Sequence, residues 1–163
     1  MSLNFFTTEC KEQGRSNLEF GLCDDQKGEK AYSNVINKEA WIATVQNSNG
    51  IELHFTPIDK CLINDQEYPN KGRCDGMLTS SIHLYFVELK NKKEDWLQEA
   101  IHQLKSTIEL YKEIHPNQNF KHQKVFACNR KHKHFQEIDN EFNKRFKRKS
   151  GFRIDIQSNI VVV

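Results

Sequence analysis

The chain has 163 residues, of which 37% are hydrophobic and 28% are charged, and its formal net charge is +2. This composition predicts a single globular domain over 1–163, and so small a charge does not by itself require a polyanionic partner. No apolar run is long enough to cross a bilayer, and residues 1–6 lack the features of a signal peptide, so we expect a cytoplasmic protein with no membrane partner.

The cysteines give no pattern that indicates pairing or metal binding. There are five, an odd number, and none stands in a Cys-x-x-Cys sequence. This spacing argues against both a disulfide framework and a zinc ribbon. We therefore expect reduced thiols at all five positions: Cys10, Cys23, Cys61, Cys74 and Cys128.

The first part of the chain predicts loops followed by a β-hairpin. Residues 1–28 are polar and punctuated by glycine, which favours loops with short elements. The β-favouring runs 41–46 and 51–55 are separated by Asn-Ser-Asn-Gly at 47–50, and an Asn-Gly step is typical of a tight hairpin turn. Pro57 ends the second run.

Two further strands are predicted to carry the most informative residues. After a short strand at 58–63 and a loop at 64–72, Cys-Asp-Gly around Asp75 opens one strand, and Tyr-Phe-Val-Glu-Leu-Lys at 85–90 forms the next. Alternate residues of a strand project to one face, so Glu88 and Lys90 point the same way. Antiparallel pairing of these two strands would place the Asp75 carboxylate beside Glu88.

The second half of the chain predicts a helix between parallel strands. Residues 94–113 have apolar side chains at alternating steps of four and three, which share one face of a helix. The helical face consists of Leu97, Ile101, Leu104, Ile108 and Tyr111. A strand at 124–128, a polar helix at 132–149 and a strand at 152–162 follow. The order indicates an α/β fold with a mixed central β-sheet flanked by helices.

The strand order, together with Asp75, Glu88 and Lys90, resembles the PD-(D/E)XK nuclease superfamily and its restriction-endonuclease-like fold over roughly 40–130. The proline of the family motif is absent, because Cys74 precedes Asp75. The resemblance implies that Asp75, Glu88 and the Leu89 carbonyl hold Mg²⁺ or Mn²⁺. It also implies that Lys90 positions the attacking water, or activates it if burial lowers the lysine pKa.

The resemblance implies a metal-dependent nuclease that hydrolyses the phosphodiester bonds of DNA, in a prokaryotic or phage defence or restriction system. A homodimer or a protein partner would then supply specificity. Two alternatives stay open. One is a non-catalytic, immunity-like module that binds nucleic acid or protein on the same fold. The other is an RNA-directed nuclease, because a site for the phosphate backbone reads neither sugar nor base.

Further site residues are implied by the family on weaker matches. A glutamine on the helix after the site often contacts the metal-bound water or a phosphate. Gln98 and Gln103 both lie on this helix, and Gln103 is the candidate, with Tyr111 loosely matching a following tyrosine. A surface role for this glutamine is the alternative. The family also often contributes a glutamate from an N-terminal helix, for which Glu29 and Glu39 are candidates.

The densest positive run is Lys-Arg-Phe-Lys-Arg-Lys at 144–149. On a helix it would present Arg145, Lys147 and Arg148 to phosphates, since backbone contacts to nucleic acid are made mainly by such cations. A solvated charged helix, anchored by Phe142 and Phe146, is the alternative.

Overall fold

The computed structural model describes residues 3–69, 71–132 and 140–163. These residues form nine strands and two α-helices, in two mixed sheets. In chain order the elements are β1 (Glu19–Cys23), β2 (Tyr32–Asn34), β3 (Ala43–Gln46), β4 (His54–Pro57), β5 (Gly76–Thr79), β6 (His83–Lys90), α1 (Leu97–Ile114), β7 (His122–Asn129), α2 (Asn140–Ser150), β8 (Arg153–Ile156) and β9 (Asn159–Val161).

The α/β class is confirmed, but the strands form two sheets where one was predicted. The first sheet has the order β2-β1-β3-β9, and the second has the order β4-β5-β6-β7-β8. In the second sheet β5 and β6 pair antiparallel, as predicted, with Gly76 opposite Val87. The strands β6, β7 and β8 are parallel, and α1 is the crossover between the first two of them.

The prediction that residues 41–46 and 51–55 pair as a hairpin is wrong. The turn itself forms, because the Gly50 N–H donates to the Asn47 carbonyl at 3.0 Å and Gly50 adopts a φ of +59°. However, β3 before it pairs with β1 and β9, whereas β4 after it pairs with β5 in the other sheet. Residues 58–63, predicted as a strand, form turns with one isolated bridge between Asp59 and Ile63.

The two sheets and the helices form three layers, and β6 lies in the middle one. Its residues Leu84 and Phe86 belong to the core shared with α1, whereas Tyr85 and Val87 belong to the core shared with the first sheet. Because side chains alternate along a strand, Glu88 and Lys90 lie on the helical side.

The helices follow the predicted pattern where they are described. On α1, Ile101, Leu104, Ile108 and Tyr111 are buried, and Leu97 packs against the same core. The C-terminal part of the predicted helix 132–149 forms α2, and its residues 133–139 lie outside the described ranges. Within those ranges, neither helix combines the length and the apolar character that crossing a membrane would need.

The expectation of five reduced cysteines is wrong at two positions. Cys10 and Cys61 form a disulfide, and their Cα atoms lie 5.9 Å apart. The other three, Cys23, Cys74 and Cys128, are free and buried, as expected. The pair is separated by 51 residues, and the fold brings it together by running residues 12–15 along β4, so no local spacing could indicate it.

The carboxylate site at the end of β6

Asp75 and Glu88 lie side by side where β5 begins and β6 ends. Asp75 immediately precedes Gly76, whose partner Val87 is the neighbour of Glu88. The Asp75 Oδ2 accepts a hydrogen bond from the Leu89 N–H at 2.6 Å, which fixes its carboxylate against β6. The adjacent Gly76 is required by packing, because a Cβ there would lie 2.3 Å from the ring of Phe55.

Both carboxyl groups are buried, with 9% of Asp75 and 5% of Glu88 exposed. Burial raises the pKa of Glu88 to about 7, although the Lys90 ammonium favours its charged form. Burial, followed by the negative charge of Glu88, raises the pKa of Asp75 well above its ordinary value, although the Leu89 N–H opposes this. Burial in a region of low polarity therefore disfavours the charged forms of both carboxyl groups, and a bound cation would reverse that preference.

Lys90 is held as a cation between two glutamates. Its Nζ lies 3.2 Å from the Glu88 Oε2 and also donates to the Glu99 carboxylate at the start of α1. Burial lowers the pKa of Lys90, but the charges and hydrogen bonds of Glu88 and Glu99 outweigh it, so the pKa is raised. The condition under which Lys90 would act as a base, a pKa lowered by burial, is therefore not met.

A third carboxylate, which the sequence analysis missed, lies next to Asp75. Asp24 follows the last residue of β1, and its carboxylate hydrogen-bonds with the Asp75 carboxyl group, which further raises the Asp75 pKa. The Asp24 Oδ1 accepts the Gln26 N–H at 2.8 Å, and the Gln26 Nε2 donates to the Leu89 carbonyl at 3.2 Å. The loop after β1 thus reaches from the first sheet into the site.

The structure does not bring the two candidate glutamates to this site. Both Glu29 and Glu39 are exposed, and the described contacts join neither to Asp75 or Glu88. Glu39 lies in a short 3₁₀ helix, Lys38–Ala40, where its carbonyl accepts a hydrogen bond from Arg130.

The available sequence signal for Asp24 was the Asp-Asp pair that directly follows the apolar end of β1.

Gln103 packs against the segment that leads into Asp75. Its Oε1 is buried with no hydrogen-bond partner among the described residues, and a Cβ on Gly72 would lie 2.7 Å from that oxygen. One turn later, Thr107 Oγ1 accepts the Cys74 N–H at 2.7 Å and donates to the Gln103 carbonyl at 2.9 Å. In the described part of the chain, no hydrogen bond links the Gln103 Oε1 to Glu88 or Lys90, and the Tyr111 hydroxyl is buried in the core without a partner.

The donor set at the site fits a hard divalent cation. The buried Glu88 Oε1 has no hydrogen-bond partner within the described residues, and a cation would satisfy it. The Leu89 carbonyl keeps one lone pair beyond the hydrogen bond from Gln26. Within the described ranges no three His, Cys, Asp or Glu side chains are arranged as a complete metal cage, but Mg²⁺ needs only one or two carboxylates because it keeps several waters.

The three basic residues singled out in the sequence are exposed on α2 but point in different directions. Arg145 lines a groove between α1 and α2. Lys147 lines a separate depression with Arg153, and Arg148 lines neither of these two. Successive helical positions are rotated by about 100°, so Arg145, Lys147 and Arg148 cannot act as one row.

These features were compared with known proteins by three routes. No protein-family model, no curated protein and no solved structure matches the chain.

Proposed function

We propose that this protein is a metal-dependent nuclease of the PD-(D/E)XK type, with a restriction-endonuclease-like fold, that hydrolyses phosphodiester bonds of DNA. One observation carries the proposal: two buried carboxyl groups with raised pKa values, Asp75 and Glu88, lie beside a lysine that is held as a cation. The carboxyl end of a parallel strand is also where open α/β sheets place their ligands.

The residues of the chain divide the chemistry between them. A bound Mg²⁺ or Mn²⁺ would neutralise charge on the phosphate and lower the pKa of a water. Asp75 and Glu88 would hold the ion, with the Leu89 carbonyl as a further oxygen. Lys90, oriented by Glu99, would stabilise the negative charge that develops on the phosphate oxygens, as a fixed cation does in a site of low polarity.

The same proposal gives Gln103 an indirect role. Its half-buried side chain packs where the chain enters the Asp75 segment, so it would position that segment rather than contact a water or phosphate directly. The defence or restriction setting and a homodimer or protein partner that supplies specificity are likewise proposals that the family resemblance supports. The cytoplasmic location stays a prediction from the sequence.

The test is to incubate the purified protein with plasmid, linear duplex DNA, single-stranded DNA and RNA, each with Mg²⁺, Mn²⁺ or EDTA. We expect metal-dependent cleavage of DNA that is abolished in Glu88→Gln and in Asp75→Asn. The matched control is Glu113→Gln, which neutralises an exposed glutamate on α1 and should leave cleavage unchanged.

Three outcomes would contradict the proposal in different ways. Cleavage at the wild-type rate in Glu88→Gln would remove the site from the chemistry. Cleavage of RNA alone would change the substrate. No cleavage of any substrate with either metal, together with unchanged folding, would favour the non-catalytic binding module.

A further inference from the structure

A basic groove runs between α1 and α2, and it lies outside the carboxylate site. Its volume is about 680 Å³. Four exposed cations line it: Lys105 and Lys112 from α1, and Arg145 and Lys149 from α2. We call these residues and the space between them the α1–α2 groove.

The charge of the α1–α2 groove is largely uncompensated. Glu109 is the one acidic residue among those that line it. In the described part of the chain none of the four cations forms an ion pair, and the Lys112 Nζ instead donates to the carbonyls of Lys149 and Ser150 at 3.4 and 3.2 Å. The groove therefore attracts an anion with several charges.

The floor of the groove is aromatic. The rings of Phe142 and Phe146 are stacked with their centroids 6.1 Å apart, and the Lys105 Nζ lies 5.9 and 6.0 Å from them. Phe146 is buried and Phe142 is half-buried, so the rings support the cations from below and are not open platforms for stacking bases.

The α1–α2 groove is connected to the carboxylate site through α1 itself. Glu99, which binds Lys90, lies in the first turn of this helix. At 1.5 Å and about 100° per residue, Lys105 and Lys112 lie about 9 and about 20 Å further along the axis, on a face turned by about 120–140° from Glu99. Because one strand of a duplex places a phosphate every 3.4 Å or so, these distances correspond to roughly three to six nucleotides.

We propose that the α1–α2 groove binds the sugar-phosphate backbone of the nucleic-acid strand whose cleavage is proposed at Asp75 and Glu88. The inference rests on the proposed function, and it reassigns the phosphate contacts predicted for α2. Arg145 and Lys149 act together with Lys105 and Lys112, whereas Lys147 faces the other side of its helix.

The experiment measures binding separately from cleavage. Fluorescence anisotropy of labelled single-stranded and duplex DNA is followed in EDTA over a range of salt concentrations. The groove variant carries Lys105→Gln, Arg145→Gln and Lys149→Gln. The matched control carries Lys144→Gln, Lys147→Gln and Arg153→Gln, which removes the same number of charges from the separate depression that α2 forms with the start of β8.

Each phosphate contact contributes about 0.9 to the slope of log affinity against log salt for duplex DNA and about 0.7 for a single strand, so we expect the groove variant to reduce the slope by about 2.7 and about 2.1, respectively. The control variant should reduce the slope for duplex DNA by less than about 0.9, the contribution of one phosphate contact. Equal losses in both variants, or an unchanged slope in the groove variant, would overturn the inference. Thermal unfolding checks both proteins, and single substitutions at Lys105 and Lys149 replace the triple variant if it does not fold.

A competing occupant is tested in the same assay with an oligoglutamate peptide. If the peptide binds to the groove more tightly than DNA of equal charge, the groove takes an acidic protein segment and the inference fails. Failure of the two proposals is distinguishable. If the protein cleaves DNA and the groove variant binds DNA as tightly as the wild type, the nuclease proposal stands and the groove inference fails. If binding depends on the groove but no substrate is cleaved, the groove inference stands and the nuclease proposal fails.

Discussion

Lys90 shows how its neighbours decide the chemistry of one residue. It is buried, and burial alone would make a lysine easier to deprotonate. The adjacent Glu88 and Glu99 reverse that effect, and the pKa of Lys90 is raised. In the proposed reaction Lys90 is therefore a fixed positive charge, and the proton of the attacking water must be accepted by another group.

This assignment predicts that Lys90→Ala loses catalysis but not metal affinity. Removing one preorganised group that stabilises developing charge typically lowers kcat by about 10²–10³. Mg²⁺ affinity, measured by calorimetry, should persist or rise, because a repelling cation has gone and both carboxylates remain. Asp75→Ala is the comparison, since it removes a proposed ligand. A loss of Mg²⁺ affinity in Lys90→Ala as large as that in Asp75→Ala would show that the roles are misassigned.

The raised pKa of Glu88 predicts a pH dependence of stability. Its pKa is 4.5 in the unfolded chain and about 7 in the fold, so protonated Glu88 favours the fold. In EDTA, this contribution is complete below about pH 4.5 and is lost as the pH rises through about 7, by about 3 kcal/mol. The pKa of Asp75 is also raised, so its ionisation lowers the stability of the fold in the same direction. Urea unfolding near pH 5 and near pH 8 measures the effect.

Glu88→Gln is the control for this pH dependence, because the amide cannot ionise. The difference in the free energy of unfolding between this variant and the wild type should grow in favour of the variant as the pH rises. Mg²⁺ should restore the free energy of unfolding of the wild type at high pH, since a cation neutralises the ionised carboxylate. A difference that does not change with pH would contradict the prediction.

At the scale of elements, α1 is fastened to the segment that carries Asp75. Thr107 is fully buried, and its hydroxyl satisfies the Cys74 N–H. A buried donor that loses its partner costs about 1–3 kcal/mol. This contact therefore links the helix to the position of the Asp75 carboxyl group.

Thr107→Val should lower the free energy of unfolding by about 1–3 kcal/mol, because valine fills the same space without a hydroxyl. Thr107→Ser keeps the hydroxyl and is the matched control. It should retain the bond and lose only the packing of a methyl group. Chemical denaturation of both variants gives the comparison. Wild-type stability in Thr107→Val would contradict the prediction, because it would show that the hydrogen bond to the Cys74 N–H does not contribute to folding.

The sequence predicted those elements whose signal is contained within one segment. The period of two along β6 placed Glu88 and Lys90 on one face, and the apolar spacing of α1 placed its buried side. The Asn47–Gly50 turn also formed, but turn chemistry specifies only a local reversal of the chain. It could not specify that the strands on either side join different sheets.

Asp24 was missed for the same reason. It comes from the first sheet and meets Asp75 only because that sheet packs on the second. Its loop has no periodicity, and many exposed acidic residues have the same local sequence character. Which cations of α2 line the α1–α2 groove also could not be predicted, because this depends on where α1 lies.

At the scale of the whole molecule, the Cys10–Cys61 disulfide ties the N-terminal segment to the loop before Asp75. The loop it closes spans 51 residues, and a cross-link of that span restricts the unfolded chain. Residue Asp59 in the same loop pairs with Arg73, two positions before Asp75. Oxidation therefore stabilises the part of the chain that supports the site.

Reduction should lower the free energy of unfolding by about 2–4 kcal/mol. The measurement is urea denaturation with and without a reductant, and the double variant Cys10→Ala, Cys61→Ala is the control. Its stability should match that of the reduced wild type and should not respond to reductant. A wild type that is equally stable in both conditions would show that this bond does not constrain the chain in solution.

The two last strands impose an order on the synthesis of this protein. Only Gln157 and Ser158 separate β8 from β9, yet β8 completes the second sheet and β9 completes the first, beside β3. On the ribosome, the edge of β3 stays open until residues 159–161 have emerged, while most of the chain is already exposed. Because such distant pairing is slow and an open edge recruits other chains, the nascent chain should aggregate most readily before residues 159–161 have emerged.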